Sequence, residues 1–355
     1  MIKDYGWSDA LQEAFAPHAA HGLAPGRVTV QQRGLYLVAA EAGELTAQIS
    51  GRFAHAALSG EHPAVGDWVA LAVRPGEQAA VIHAVLPRRT AFVRKAADSV
   101  ATEQVVAANV DVAFLVASMN ADLNARRLER YLAAAWQSGA RPVVVLTKAD
   151  LAADLAREIG EAERVAFGAP VLAVSVVTGE GLEALAAELK PRDTGVLVGS
   201  SGVGKSSLVN ALAGETLMAT GAIREDDAHG RHTTTHRELI RLPSGALILD
   251  TPGMRELGLL DASDGLGVIF EDIEALAGSC RFSDCGHTSE PGCAVRAALA
   301  TGALDPDRWK SFQKLQRELA FQERKEDCVA REAHRRRWIQ VAKSARAGKK
   351  IRGKP

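Results

Sequence analysis

Hydrophobic and polar positions change rhythm three times along the chain. In the first two dozen residues Ala10, Leu11, Ala14 and Phe15 fall at helical spacing, which predicts a short lead-in helix closed by Pro17. From Gly26 to about Val93 the apolar runs become short and β-rich: Val28–Val30, Leu35–Val38, Thr46–Ile49, Trp68–Val73 and Ala80–Val85. Turns such as Ala42-Gly43 and Pro75-Gly76 separate them. Strands at this spacing predict a small OB-like β-barrel. Residues 98–108 read as a polar linker.

Beyond the linker the apolar runs lengthen. Asp111–Ser118, Pro142–Leu146 and Pro170–Val174 read as buried strands, alternating with helices over 124–138, 152–164 and 180–189. The first of these helices is expected to carry Arg126, Arg127, Glu129 and Arg130 on its wet face. Continuous apolar strands alternating with helices predict a mainly parallel sheet covered on both faces. Asp193–Val198 reads as a further buried strand and Leu208–Ala213 as a helix. Leu239–Leu242 and Ala246–Leu249 read as two more strands, joined through Pro243-Ser244-Gly245. From 266 onward the texture is helical, with helices expected near 294–300, 306–325 and 328–346. The chain is thus read as a multidomain α/β protein divided at 1–97, 98–265 and 266–355.

Between the strand at 193–198 and its helix lies Gly199-Ser200-Ser201-Gly202-Val203-Gly204-Lys205-Ser206-Ser207. It fits G-x-x-x-x-G-K-[ST], and strand–loop–helix is the context that phosphate-binding pattern requires. Its glycines let backbone N–H groups turn toward phosphate oxygens, and the helix N-terminus adds positive potential. Lys205 would reach the β- and γ-phosphates, and Ser206 would ligate Mg²⁺.

The strand at 142–146 ends in Thr147-Lys148-Ala149-Asp150, close to the Asn-Lys-x-Asp pattern that reads guanine. Guanine presents N1–H and its 2-amino group side by side, and the Asp150 carboxylate can accept both; adenine offers no such pair. Lys148 would lie along the base, and Thr147 would make only part of the bonds of the usual asparagine. Ser175–Gly179 fits a loop whose backbone N–H meets the guanine carbonyl. After the strand at 246–249, Asp250-Thr251-Pro252-Gly253 offers Asp250 to Mg²⁺ through a water and the Gly253 N–H to a γ-phosphate. The loop at 219–238 contains Gly230-Arg231-His232-Thr233-Thr234-Thr235. Thr234 is chosen as the residue that closes over the metal, with Thr233 and Thr235 as alternatives. Base recognition, then phosphate loop, then Mg²⁺ aspartate is a circularly permuted order. Compact domains tolerate such rearrangement because their termini often lie close together.

Composition refines this picture at two points. At 355 residues, 47% hydrophobic and 24% charged, the chain is an ordinary globular protein. No apolar run approaches the roughly 18 residues of a membrane span. Met1–Gly6 lacks the basic-then-apolar layout of a secretion signal. A cytoplasmic protein without membrane contact is expected. The formal charge is −1, yet residues 333–355 carry nine Lys/Arg and no Asp/Glu, which points to a polyanionic partner. Arg88, Arg89, Arg94 and Lys95 after the barrel agree with RNA contact. Of the four cysteines, Cys280, Cys285 and Cys293 join His287 in C-x4-C-x-H-x5-C, a set suited to one structural, tetrahedral Zn²⁺. Cys328 stands apart.

Taken together, these motifs are similar to those of the ribosome-small-subunit-dependent, circularly permuted GTPases, the YjeQ/RsgA family, over nearly the whole length. The resemblance implies GTP binding, Mg²⁺-supported hydrolysis to GDP stimulated by the 30S subunit, contact with 16S rRNA, a monomer, and a role late in small-subunit maturation. No glutamine follows Gly253, where Met254 stands, so slow intrinsic turnover is expected. His232 is the candidate to replace that glutamine, with ribosome contact as its competing role. Gly202 stands where potassium-using GTPases carry an asparagine, so potassium dependence is not implied. Two other readings remain: an rRNA-binding module whose nucleotide pocket only switches, and a P-loop kinase or ATPase.

Overall fold

The structure is a computed structural model that describes residues 1–32, 34–57, 60–95, 103–119, 123–166, 168–218, 237–250, 270–306, 308–310 and 312–317. It divides into two compact units, one holding the barrel and the parallel sheet and one that includes everything from Phe270 onward.

The N-terminal strands are β1 (Ala24–Gln32), β2 (Leu35–Ala40), β3 (Gly43–Ile49), β4 (Trp68–Val73) and β5 (Ala79–Val85). They pair in the order β1-β2-β3-β5-β4, and β4 returns to β1, so the barrel closes. Alternate residues fill it: Val28, Tyr36, Val38, Leu45, Ala47, Val69, Leu71 and Ile82. That period of two is what a strand with one buried face requires. Outside the barrel, α1 (Asp9–Ala19) packs Leu11 and Phe15 on Trp68 and Leu86. Pro17 does not end this helix, which continues to Ala19. A proline this late in a helix removes only one intrahelical hydrogen bond. A short helix, α2 (Gly51–Ala56), follows β3.

The expected linker is corrected over residues 103–108, while 98–102 lie outside the described residues. Strands β6 (Ala91–Lys95) and β7 (Glu103–Ala108) pair with each other as a two-stranded sheet. Val105 and Ala108 are buried there against Ala64, so this stretch is more apolar and more ordered than its polar opening suggests.

The second sheet contains β8 (Val112–Ser118), β9 (Arg141–Thr147), β10 (Val171–Val174), β11 (Thr194–Val198), β12 (Arg237–Arg241) and β13 (Leu247–Asp250). Its order is β10-β9-β8-β11-β13-β12, parallel except for β12. Every residue of β8 and β11 is buried. Helices α3 (Ala125–Ser138), α4 (Leu155–Ala166), α5 (Leu182–Ala187) and α6 (Lys205–Ala213) connect the parallel strands. Val112, Phe114 and Val116 pack with Leu185, Leu208 and Val209, while the intervening Ala113, Leu115 and Ala117 are buried as well. Both faces are therefore covered, as a parallel sheet demands.

Barrel and parallel sheet are one structure, because β1 also pairs with β12 and makes an eleven-stranded sheet. Arg27 on β1 is the hub of the junction. Its buried guanidinium donates to the Gly66 carbonyl (3.2 Å), the Asn109 carbonyl (3.2 Å), Thr194 Oγ1 (2.8 Å) and the Tyr5 carbonyl. Burial lowers its pKa to about 10, so it remains a cation at neutral pH. Beside it, Arg88 grips the buried carboxylate of Asp67 through both oxygens at 2.8 and 2.7 Å. Burial pushes the Asp67 carboxyl up, and this paired guanidinium counters it. Gly66 is required here: its φ is +91°, and an added Cβ would lie 2.1 Å from the Ala108 carbonyl oxygen.

The second unit contains α7 (Glu271–Gly278), α8 (Ala294–Thr301) and helical residues between 306 and 317. The remainder of the expected helix at 306–325, that at 328–346, Cys328 and the basic end lie outside the described residues. No helix among the described residues is long and apolar enough to cross a membrane.

Candidate functional site

Parallel pairing places the loops after β8, β9, β10 and β11 at one edge of the sheet. Val174 pairs with Thr147, Thr147 with Ser118, and Val198 with Leu115, so four chain segments leave the sheet side by side. The carboxyl ends of parallel strands are where such sheets bind ligands.

The phosphate loop leaves β11 at Gly199, where a Cβ would sit 2.3 Å from the Val116 carbonyl oxygen; only glycine lets the loop turn this close to β8. Ser201 and Gly202 are exposed, and the buried Val203 anchors the loop in the sheet core. Gly204 caps α6, so Lys205, Ser206 and Ser207 form its first turn. Lys205 Nζ donates to the carbonyls of Gly199 (2.8 Å) and Ser200 (2.5 Å), which holds the ammonium across the loop. The first N–H groups of a helix have no partner within the helix, which makes such an end suited to an anion.

The segment Thr147–Asp150 is tied to that loop directly. Thr147 Oγ1 lies 2.5 Å from the Val203 carbonyl and 3.2 Å from the Ala117 carbonyl. A hydroxyl has one proton, and the shorter contact takes it. Lys148 adopts φ +59°, after which Ala149–Leu151 form a single 3-10 turn that presents Asp150. Asp150 Oδ1 accepts from Ser175 Oγ at 2.5 Å, and Ser175 Oγ accepts from the Thr178 N–H at 3.2 Å. Ser175 is fully buried, so the carboxylate is aimed by a fixed group. Sequence reasoning assigned the 175–179 loop only a backbone contact and missed this serine.

A second group was missed on α3. Arg127, expected on a wet face, is half-buried and its Nη1 donates to Ser200 Oγ in the phosphate loop. Glu129 is buried rather than exposed; Arg126 is exposed as expected. Arg88, expected near RNA, is held by Asp67 and by the carbonyls of Gly60 and His62.

For Mg²⁺, Ser206 sits in the first turn of α6, and Asp250 ends β13, the parallel neighbour of β11. A hydroxyl and a carboxylate are the hard oxygen donors this ion takes. Gly253, His232, Thr233, Thr234 and Thr235 lie outside the described residues.

In the second unit the ligand atoms of Cys280, Cys285, His287 and Cys293 all lie within 4.8 Å of one another. Cys280 Sγ and Cys293 Sγ are 3.9 Å apart, and His287 Nδ1 is 3.6 and 3.5 Å from them. A tetrahedral zinc ion with normal bond lengths has S···S edges of about 3.8 Å and S···N edges of about 3.6 Å. The three spacings therefore fit zinc. Cys293 also caps α8, its Sγ accepting the Arg296 N–H at 3.5 Å. Glu290 fastens the loop between ligands by accepting the N–H groups of Gly286, Thr288 and Ser289 at 2.9, 2.8 and 2.9 Å. Its own amide and those neighbours lower its pKa to about 2. The His287 ring meets Trp309 edge-on at 5.7 Å, and Trp309 stacks on Phe312.

The chain is similar to known proteins. The sequence model of the RsgA GTPase family matches residues 85–260. A protein of Opitutus terrae named "Small ribosomal subunit biogenesis GTPase RsgA" is 46% identical, covering 99% of each chain. A Streptomyces coelicolor protein of the same name is 47% identical over 95% of this chain and 92% of its own. The crystal structure of YjeQ from Thermotoga maritima is similar with a TM-score of 0.63 and 28% identity, covering 84% of this chain and 99% of that one. The structure of YloQ, described as a circularly permuted GTPase, has a TM-score of 0.61 and 25% identity, covering 85% and 96%. Full-length identity, the matched domain and the permuted sheet lead to one conclusion: the chain belongs to the RsgA GTPase family.

Proposed function

We propose that the chain binds GTP at the edge formed by β8–β11, hydrolyses it with Mg²⁺, and acts in small-ribosomal-subunit biogenesis. The observation that carries this reading is the bond from Thr147 to Val203, which joins a guanine-reading segment to a phosphate loop. Asp150, aimed by Ser175, accepts N1–H and the 2-amino group of guanine; Lys148 flanks the base; Ala149 is the spacer. Gly199 to Gly204 wrap the phosphates, Lys205 neutralises them, and Ser206 with Asp250 holds Mg²⁺; Ser207 extends the helix end. Gly253 reports the γ-phosphate. Thr234 closes over the metal, and His232 orients water once the small subunit orders its loop. Hydrolysis on this plan is mostly positioning and charge neutralisation.

Cys280, Cys285, His287 and Cys293 hold one structural zinc ion, with no open position for chemistry. The barrel region to residue 97 and the region from 266 contact 16S rRNA, and residues 98–265 are the GTPase portion. The relatives' names refer to small-ribosomal-subunit biogenesis, which supports the 30S subunit as partner; the chain works as a monomer in the cytoplasm, and the subunit stimulates turnover. GTP turnover measured with and without purified small subunits tests this. Stimulation is expected, and equal rates would remove the ribosome-dependent part. Asp150→Asn tests base selection. Its amide donor faces a guanine donor, so GTP affinity should fall at least tenfold while xanthosine triphosphate, with an acceptor at that position, gains. Unchanged GTP affinity would remove Asp150 from the base site.

A further inference from the structure

We infer that Arg127 is a positioning residue of the phosphate site, acting through Ser200 and favouring nucleotides with a polyphosphate over monophosphates. The inference rests on the nucleotide reading above and adds a residue to it. Asn124 Oδ1 accepts the Arg127 N–H at 3.1 Å, which fixes the first turn of α3 at the sheet edge. From there the Arg127 guanidinium donates to Ser200 Oγ. On the same residue Lys205 Nζ takes the carbonyl at 2.5 Å. Two cations from two helices thus converge on one serine of the phosphate loop.

A polyanion laid against Ser200 is attracted by both groups, and the attraction grows with its charge. The Arg127 guanidinium is planar and presents its donors in a rigid fork. Its fixed fork also pins the hydroxyl direction of Ser200, and with it the loop that follows. A guanosine monophosphate presents less charge to this pair than a diphosphate or triphosphate. The contribution of Arg127 should therefore grow with phosphate number. It also suits a chain with Met254 rather than glutamine beside Gly253, since charge and geometry then supply more of the transition-state stabilisation.

The test is competition of GMP, GDP and GTP against a fluorescent GDP on the full-length chain, using wild type, Arg127→Gln, Arg127→Lys, Ser200→Ala and the Arg127→Gln/Ser200→Ala pair. Arg127→Gln should weaken GDP and GTP about tenfold and GMP less than twofold, while Arg127→Lys recovers part of the loss. In the Ser200→Ala background the Arg127→Gln loss should shrink, because the two act in series. Equal weakening of all three nucleotides, or none, would overturn the inference. Additive losses would show that Arg127 does not act through Ser200. Were the wild type itself to bind no guanine nucleotide, the nucleotide reading would fall first and this inference with it. Were it to bind normally and Arg127→Gln and Arg127→Lys to match it, only the role of Arg127 would fall.

Discussion

At the barrel–sheet junction one guanidinium, Arg27, holds four oxygen atoms from four segments of chain, the farthest 167 residues away in sequence. In the knuckle four ligand atoms from a single stretch of fourteen residues converge on one point. The junction is fixed by distant partners and needs no ion, because apolar strands on either side already exclude water. The knuckle is local, and among the described residues the core beside it is small: Phe270, Ile273, Val295, Leu304, Phe312 and Leu315. The difference shows how burial decides the means of fixing polar groups. Where a large core exists, one buried cation can organise loops; where it does not, a metal must supply the energy that the core lacks.

This contrast can be broken at either end. The largest effect is expected from stripping zinc, or from Cys293→Ser. Structural zinc sites of this type contribute on the order of 10 kcal/mol to folding, so α7 and α8 should lose hydrogen-exchange protection while β8–β11 keep theirs. Equal loss in both units would show that the knuckle is not a local device. Next, Arg27→Met leaves its buried oxygen partners without their donor and should lower the unfolding free energy of the barrel-and-sheet unit by about 3 kcal/mol with zinc content unchanged. Calorimetry and metal analysis on one sample would check both halves, and a loss near zero would mean that the apolar strands alone hold the junction. The smallest effect sharpens the comparison inside the nucleotide unit. Thr147→Val removes one hydroxyl bond to Val203, and GDP affinity should fall by about fivefold, near 1 kcal/mol, with the melting temperature almost unmoved.

How much of this was legible in the sequence follows a physical line. Strands buried on both faces announce themselves, so β8, β9 and β11 were readable from continuous apolar runs. The phosphate loop was readable because close backbone approach restricts Gly199 to one residue type. The C-x4-C-x-H-x5-C cluster was readable because metal ligands must be a few residue types at short spacing. What failed was whatever depends on a distant partner. Glu103 and Gln104 open β7 with polar side chains, and only the pairing with β6 makes that stretch a strand. Arg88 and Arg127 look like solvated charges until Asp67 and Ser200 are placed beside them. Ser175 was unreadable for the same reason, since its partner Asp150 lies 25 residues earlier.

The ladder between β1 and β12 means that the catalytic portion cannot be excised as a self-contained module. Cutting away the first hundred residues would strip Val30 and Gln31 from Glu238 and Arg237 and leave a naked strand edge, along with Asn109 and Thr194 deprived of their cation. A truncated version would tend to stick to copies of itself, so the barrel serves as a permanent fender for the enzyme it precedes.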